Sequence, residues 1–292
     1  PTSIVVDVNA KAHVTYNMWN ASPASSKMRY ATNATGVWVY TDIDTGTQSN
    51  LGANSVLAMD GSGNLHVCYS DGSVFNTKYA VKTGGTWSVQ SFSMQMNDQR
   101  TMAIDANGKA HIAGTSGWTM YYITNASGAW ATTAVDTGTG QAGSFNSITT
   151  DGTGTVHVAY IGSGIYPGQH LIYATFVNGG WQMTSLEPAY SSYPALIATD
   201  KSNNIHIAYS NYEGTPYKLK YALYSGGSWT KIVIDNPGVH TYARSIATDS
   251  NNKAHISYYT QGTSYALRYT TNALGSWQTY TIDSTAQYIG SY

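Results

Sequence analysis

The chain has 292 residues, a net charge of −1 and only 10% charged residues. That balance leaves no basic footprint for nucleic acid and no polybasic patch for a membrane surface, and no apolar run is long enough for a membrane-spanning helix. A single cysteine, Cys68, excludes a disulfide framework and a CxxCH haem site.

In chain order an Asp is followed six residues later by a His at Asp7/His13, Asp60/His66, Asp105/His111, Asp151/His157, Asp200/His206 and Asp249/His255, at intervals of 45 to 53 residues. Each pair is followed by a Tyr (Tyr30, Tyr79, Tyr122, Tyr173, Tyr221, Tyr269) and then, after a Gly-containing turn, by a Trp (Trp38, Trp87, Trp130, Trp181, Trp229, Trp277). A period in this range marks a repeat architecture. No Pro-rich or charged linker separates the copies, so the chain reads as one domain, 1–292, with copies at 1–53, 54–99, 100–145, 146–193, 194–243 and 244–292.

The last copy shows the local signals most clearly. RSIATD (244–249) reads as a short strand, SNNK as a tight turn, AHISYY as a second strand with alternating polarity, ALRYTTN as a third, ALGS as a turn and WQTYTID as a fourth. Four short strands in an antiparallel meander, repeated at this spacing, predict an all-β, six-bladed β-propeller of four-stranded antiparallel blades. The first segment, Thr2 to Asp7, is expected in its own blade, so that sheet-face packing alone joins blade six to blade one.

In the phrase SIATDSNNKAHISY the chain resembles NHL-type repeats, and as architecture it is similar to secreted six-bladed propellers of the sialidase/BNR type. The sialidase Asp-box S-x-D-x-G-x-T-W is not matched, because His stands at its aromatic end. A sialidase-type site would require three clustered Arg and a Tyr/Glu pair, whereas only Arg100 and Arg244 lie on the relevant rim.

The repeated Asp and His have a structural explanation. Asp ends the first strand and His opens the second, so a tight turn lets the carboxylate accept an imidazole N–H near a blade interface. Six such His cannot converge on one metal, and no metal or cofactor is expected. Cys68 stands where other copies carry Ala, Thr or Ser and reads as a small buried filler. The sequons at Asn20, Asn33 and Asn125 read as turn chemistry.

Function is therefore sought where the copies disagree. Removing the six Asp of the pairs, and Asp44, Asp136, Asp235 and Asp283 at fourth-strand ends, leaves Asp42, Asp71, Asp98, Glu187 and Glu213; the same operation leaves His170, His240, Trp19 and Trp118. Most of these fall in loops on the face opposite the Asp turns, and loop tyrosines crowd there in blades four to six: Tyr166, Tyr190, Tyr193, Tyr212, Tyr217, Tyr242, Tyr265 and Tyr288. The Asp-turn face, with short uniform loops, is expected to build no distinct pocket.

An aromatic surface of low charge suits carbohydrate. The leading expectation is a non-catalytic secreted or cell-surface module that binds a glycan or an extracellular protein through Tyr166, His170, Tyr193, Tyr212, Glu213, His240, Tyr242 and Arg244, with Arg100 at the matching position of blade three. A polysaccharide-cleaving enzyme is the rival. Glu187 and Glu213 would be its carboxylate pair, or His240, Tyr242 and Arg244 its lyase base and charge neutraliser. A third reading is a structural module of a larger surface polypeptide or filament. Richness in Tyr, Gly, Ser, Thr and Asn fits an exported protein, and a start at Pro1 without Met or signal sequence fits a mature form or an excised segment.

Overall fold

The computed structural model describes residues 2–22, 24–72, 76–96, 100–138, 142–163, 168–188, 194–211 and 216–285. These residues form six antiparallel sheets in which the strands pair in sequence order, the meander of a β-propeller blade. Thr2–Val6 pairs with Ala12–Ala21 of its own sheet, with Ile4 opposite Val14. In blade two the first strand is split into Asn50–Leu51 and Val56–Met59, both paired with Leu65–Gly72. No helix is long and apolar enough to cross a membrane among the described residues.

The chain divides into two compact units, Pro1–Ala134 with blades one to three and Val135–Tyr292 with blades four to six. Within each unit the core lies between neighbouring sheets. Met28, Tyr30 and Ile43 of blade one meet Leu57, Leu65 and Val67 of blade two. In the second unit Ile161, Leu171 and Leu186 of blade four meet Ile197, Ile205 and Ile207 of blade five. Cys68 is buried between blades two and three against Tyr79 and Met102, and burial pushes its thiol up to about 11.

The repeated Asp holds its hairpin in a fixed way. One carboxylate oxygen, Oδ1, accepts the backbone N–H groups of the residues two and four positions on, at 2.8 or 2.9 Å in all six blades. The fourth turn residue is left-handed in every copy: Ala10, Gly63, Gly108, Gly154, Asn203 and Asn252 have φ of 58, 81, 71, 84, 61 and 61°. Gly and Asn adopt that conformation readily, whereas Ala10 does so at a strain of about 1 kcal/mol.

The other oxygen, Oδ2, lies 3.0 to 3.4 Å from the Nε2 of the repeated His in all six blades. On its far side each His meets the repeated Tyr, with Nδ1 to hydroxyl distances of 2.6 Å for His13, His66, His111 and His206 and 2.7 Å for His157. His255 and Tyr269 make the same bond. In blades one, two, four and five the contact to Asp is a hydrogen bond, and because a carboxylate only accepts, Nε2–H donates to Asp; where the imidazole is neutral, the bare Nδ1 then accepts from the Tyr hydroxyl.

The Tyr ring then carries the next blade's Trp, edge on. Trp87 meets Tyr30 at 5.5 Å, Trp130 meets Tyr79 at 4.9 Å, Trp229 meets Tyr173 at 5.0 Å and Trp277 meets Tyr221 at 4.8 Å. Such pairs add about 0.5–1.5 kcal/mol beyond area burial. The repeated Asp, His, Tyr and Trp are thus one connected chain from a hairpin turn to the neighbouring blade.

This wiring has a pH consequence. Burial holds the His66, His111 and His157 imidazoles below the ordinary value of 6.5, against the upward pull of their Asp partners. The unfolded chain takes up these protons first, so the stability carried by neutral His is present above pH 6.5 and declines as the pH falls below it. Burial pushes Asp60, Asp151 and Asp200 up, but hydrogen bonds from Asn64, Thr153, Asn204 and from His66, His157 and His206 outweigh it and hold the carboxyls below 3.8. Their contribution is lost only as the pH falls below that value. The unfolding temperature should drop in two stages, one beginning near pH 6.5 and one near pH 3.8; a profile flat across the first stage would exclude buried neutral imidazoles.

Candidate functional site

A second recurrent contact sits at the other end of the blades. The carboxylate near the end of a fourth strand accepts from the next blade: Asp44 from the Tyr69 hydroxyl at 3.1 Å and Lys78 at 2.6 Å, Asp136 from Tyr160 at 2.9 Å, and Asp235 from Tyr258 and, at 3.2 Å, Arg268. Glu187, which the sequence reading sets outside the repeat, occupies this same place. It stands opposite Leu171 across a bulge, as Asp235 stands opposite Leu219. Its carboxylate meets Lys220 at 2.8 Å and the Asn211 amide at 2.5 Å. The pair is nearly dry, with side chains 8% (Lys220) and 12% (Glu187) exposed.

His240, Tyr242 and Arg244 are expected in a loop, but the first strand of blade six begins at His240 and runs to Thr248. The extra turns of ladder come from His240, Thr241, Tyr242 and Ala243 pairing with Gln261, Thr260, Tyr259 and Tyr258. The alternation of HTYA opposite YYTQ is the sequence signal for this extension. The register then shifts between Ala243 and Ser245, which leaves Arg244 at a bulge, a device that re-aims a side chain.

That strand is tied to blade five. The Thr241 N–H and hydroxyl both donate to the Tyr217 carbonyl, at 3.1 and 3.0 Å, the Tyr217 N–H donates to His240 Nδ1 at 3.2 Å, and the Ala243 N–H donates to the Ser210 hydroxyl at 3.0 Å. An aromatic ladder results. Tyr217 lies 4.6 Å from His240 and 5.8 Å from Tyr242, and Tyr242 lies 4.6 Å from Tyr259. Arg244 rests on the Tyr259 ring at 4.6 Å. Its Nε is buried with no hydrogen-bond partner, and no ion pair to Arg244 forms among the described residues.

Within the ladder Tyr242 and Tyr259 are buried, while Tyr217, His240 and Arg244 remain partly exposed. Along the strand His240 is nine residues from Asp249, about 30 Å at roughly 3.3 Å per residue, and Arg244 five residues, about 17 Å.

Other expected site residues are dispersed. Arg100 is buried in the first unit and donates to the Met96 and Ala53 carbonyls at 3.0 and 3.1 Å, so its guanidinium lies inside the packing. It shares with Arg244 only the spacing to Asp. His170 opens the third strand of blade four, its Nδ1 2.7 Å from the Ser185 hydroxyl. Asp42 pairs with Lys27 and Arg29 at 2.5 and 2.8 Å, and Trp19 and Trp118 are exposed in the first unit. Tyr166, Tyr190, Tyr193, Tyr212, Glu213, Tyr288 and Asp98 lie outside the described residues.

The Asp-turn face is less featureless than its short loops suggest. Between blades two and three a depression of about 700 Å³ is lined by Asp60, Asn64, Gln90, Asn107, Asn125 and Trp130 among others. Gly61, Ser62, Ala106 and Gly108 leave the space because they carry little or no side chain. Among the described residues no group of His, Cys, Asp and Glu is placed to hold a metal ion.

No family model and no curated protein matches the chain. Solved structures of similar fold include an ulvan lyase of polysaccharide lyase family PL25 bound to -[GlcA(1-4)Rha3S]-, 12% identical over 96% of this chain and 82% of that one, with a TM-score of 0.63. AofleA from Arthrobotrys oligospora is 13% identical over 97% and 87%, with a TM-score of 0.59. The β-propeller domain of the Trilobed protease from Pyrococcus furiosus is 9% identical over 100% and 95%, with a TM-score of 0.58. At these identities the likeness concerns the fold alone, and with the six four-stranded sheets it makes this chain a six-bladed β-propeller.

Proposed function

We propose that the chain is a non-catalytic module, secreted or on a cell surface, that binds an acidic glycan on blades five and six. The observation that carries this reading is Arg244: a guanidinium held on the Tyr259 ring at a bulge, with no ion pair among the described residues, at one end of an aromatic ladder that runs through Tyr242 to the partly exposed Tyr217 and His240. Arg244 supplies a planar donor fork for a carboxylate or sulfate, and Tyr217 and His240 supply ring faces for sugar C–H groups. Tyr212 and Glu213 follow directly on Asn211 of the adjacent blade-five strand and are proposed as further contacts, with His170, Tyr166 and Tyr193 as outlying ones. The ulvan lyase of similar fold, bound to -[GlcA(1-4)Rha3S]-, supports this class of ligand.

Binding is favoured over cleavage because Glu187 is committed to Lys220 and Asn211 and Tyr242 is buried in the ladder. Calorimetric titration with polygalacturonate should give salt-sensitive binding that neutral dextran does not reproduce. Arg244→Ala should weaken it about tenfold, equivalent to about 1.4 kcal/mol. Equal binding by the variant removes the site, and appearance of an unsaturated uronate chromophore would favour the lyase reading, with His240 as base.

A further inference from the structure

The Asp-turn end of a blade junction is closed in two ways. The first is a bridge between hairpin turns. Asn203, the left-handed turn residue of blade five, accepts the Gly152 N–H of blade four at 2.8 Å; Asn252 of blade six accepts the Lys201 N–H at 3.2 Å and donates to the Ser202 hydroxyl at 2.7 Å. The second is a side chain three residues beyond the repeated Tyr of the following blade. Lys82 stands over the Tyr30 ring at 4.5 Å, and Tyr224 packs on Trp229 at 5.2 Å against the core of blades four and five. Blades one and two thus have the second device, blades five and six the first, and blades four and five both.

The junction of blades two and three has neither. Its left-handed turn residue is Gly108, with φ of 71°, so no amide reaches back to blade two, and no hydrogen bond from the Gly61 N–H forms among the described residues. Asn125 holds the place of Lys82 and Tyr224, but its Oδ1 accepts the Ala110 N–H of its own blade at 2.8 Å. The depression of about 700 Å³ is the space that these two positions leave, within the range of roughly 300–1,000 Å³ that suits a small ligand.

The lining selects against charge. Asp60 is its one carboxylate, and both oxygens are committed: Oδ1 to the Ser62 and Asn64 N–H groups at 2.9 and 2.8 Å, Oδ2 to the Asn64 amide at 2.8 Å and His66 Nε2 at 3.3 Å. No Lys or Arg lines the space, so an anion would meet a carboxylate with no cation to offset it. What faces a ligand is the amides of Gln90, Asn107 and Asn125 and the hydroxyls of Thr83 and Ser88. Trp130 supplies an apolar wall, its ring fixed beforehand by edge contacts with Tyr79 at 4.9 Å and Phe92 at 4.7 Å, so that little ordering remains for a ligand to impose.

We propose that this depression is a second binding site, for a neutral β-linked oligosaccharide whose ring C–H groups lie on Trp130 and whose hydroxyls bond Gln90, Asn107 and Asn125. Equatorial β-linkages keep successive sugar rings extended with their apolar faces presented to one wall. The site does not depend on Arg244, which belongs to the other unit.

Calorimetric titration of the full chain with cellotetraose, xylotetraose and mannotetraose at millimolar concentrations tests this. At least one should bind, with an affinity indifferent to salt. Gly108→Asn should weaken that binding at least tenfold. Asn takes up the left-handed conformation readily, a Cβ at this position stands 3.1 Å from Asp60 Oδ2 and so lies in the gap, and the amide would reach the Gly61 N–H as Asn203 reaches Gly152. The double variant Gln90→Ala, Asn107→Ala alters only exposed side chains, should keep its fold by circular dichroism, and should weaken binding to the same degree; it decides the matter if Gly108→Asn does not fold. Arg244→Ala should leave this binding unchanged, and folded Gly108→Asn should bind polygalacturonate as the parent does, so each site can fail alone. No binding of any of the three sugars, or unchanged affinity in the double variant, would overturn the proposal. So would loss of polygalacturonate binding in folded Gly108→Asn, which would make the depression a site for acidic glycan.

Discussion

Glu187→Gln is expected to destabilise the protein by about 3 kcal/mol, because it leaves the Lys220 ammonium buried without a counter-charge. Lys220 has a side chain only 8% exposed, and the Glu187 carboxylate is its partner at 2.8 Å. The amide preserves the bond from Asn211 in shape but not in charge, so the loss reads mainly the ion pair. Urea unfolding measures it, and the double variant Glu187→Leu, Lys220→Met should recover most of the stability, since an apolar pair of similar volume often replaces a buried ion pair at little net cost. A loss under about 1 kcal/mol would mean that water screens the pair as it does a surface salt bridge. A large loss in stability would also explain any loss of function in this variant without a catalytic role for Glu187.

His206→Ala should cost about as much, roughly 3 kcal/mol. The ring is 2% exposed and links Asp200 at 3.0 Å to the Tyr221 hydroxyl at 2.6 Å. Its removal leaves a buried carboxylate oxygen and a buried hydroxyl short of partners and opens a cavity under Trp277. Tyr221→Phe removes only the hydroxyl and should cost about 1 kcal/mol. Affinity for polygalacturonate should be unchanged in both variants, because this bond lies inside the packing at the Asp-turn end of blade five and neither His206 nor Tyr221 is a contact of Arg244, His240 or Tyr217. A stability loss that ranks Tyr221→Phe above His206→Ala would refute the imidazole as the link between turn and neighbouring blade.

Six blades and their phase were legible in the sequence because the residues that repeat bond to one another over short separations. Asp to His is six residues, and His to Tyr is 11 to 17, so each copy displays its own constraint. What spans two copies was harder to read. Glu187 lies 33 residues from Lys220, and a search for repeated Asp passes over it because Glu fills the role in that copy. The ladder under Arg244 was hidden for a related reason: His240 to Ala243 extend a strand only because Tyr258 to Gln261 continue beside them. Arg100 and Arg244 share a spacing to Asp, yet one guanidinium is spent on main-chain carbonyls and the other lies on a ring. Spacing along the chain does not report on which neighbour a bulge or a blade junction supplies.

The forward direction of the carboxylate contacts bears on how such a chain can change its length. Asp44, Asp136, Glu187 and Asp235 each reach toward the blade that follows, and Trp87, Trp130, Trp229 and Trp277 each reach back to the Tyr of the blade before. The junctions so formed share one adaptor, a donor half and a receptor half with a fixed polarity, although blade three has Gly114 where Tyr69 and Tyr160 receive a carboxylate. A tandem duplication or deletion of a copy that carries both halves leaves its junctions chemically complete, whereas a reversed or out-of-phase insertion strands a carboxylate at each boundary. The repeat is thus tolerant of changes in number and intolerant of changes in phase, which allows blade count to drift while the spacing from Asp to His stays at six.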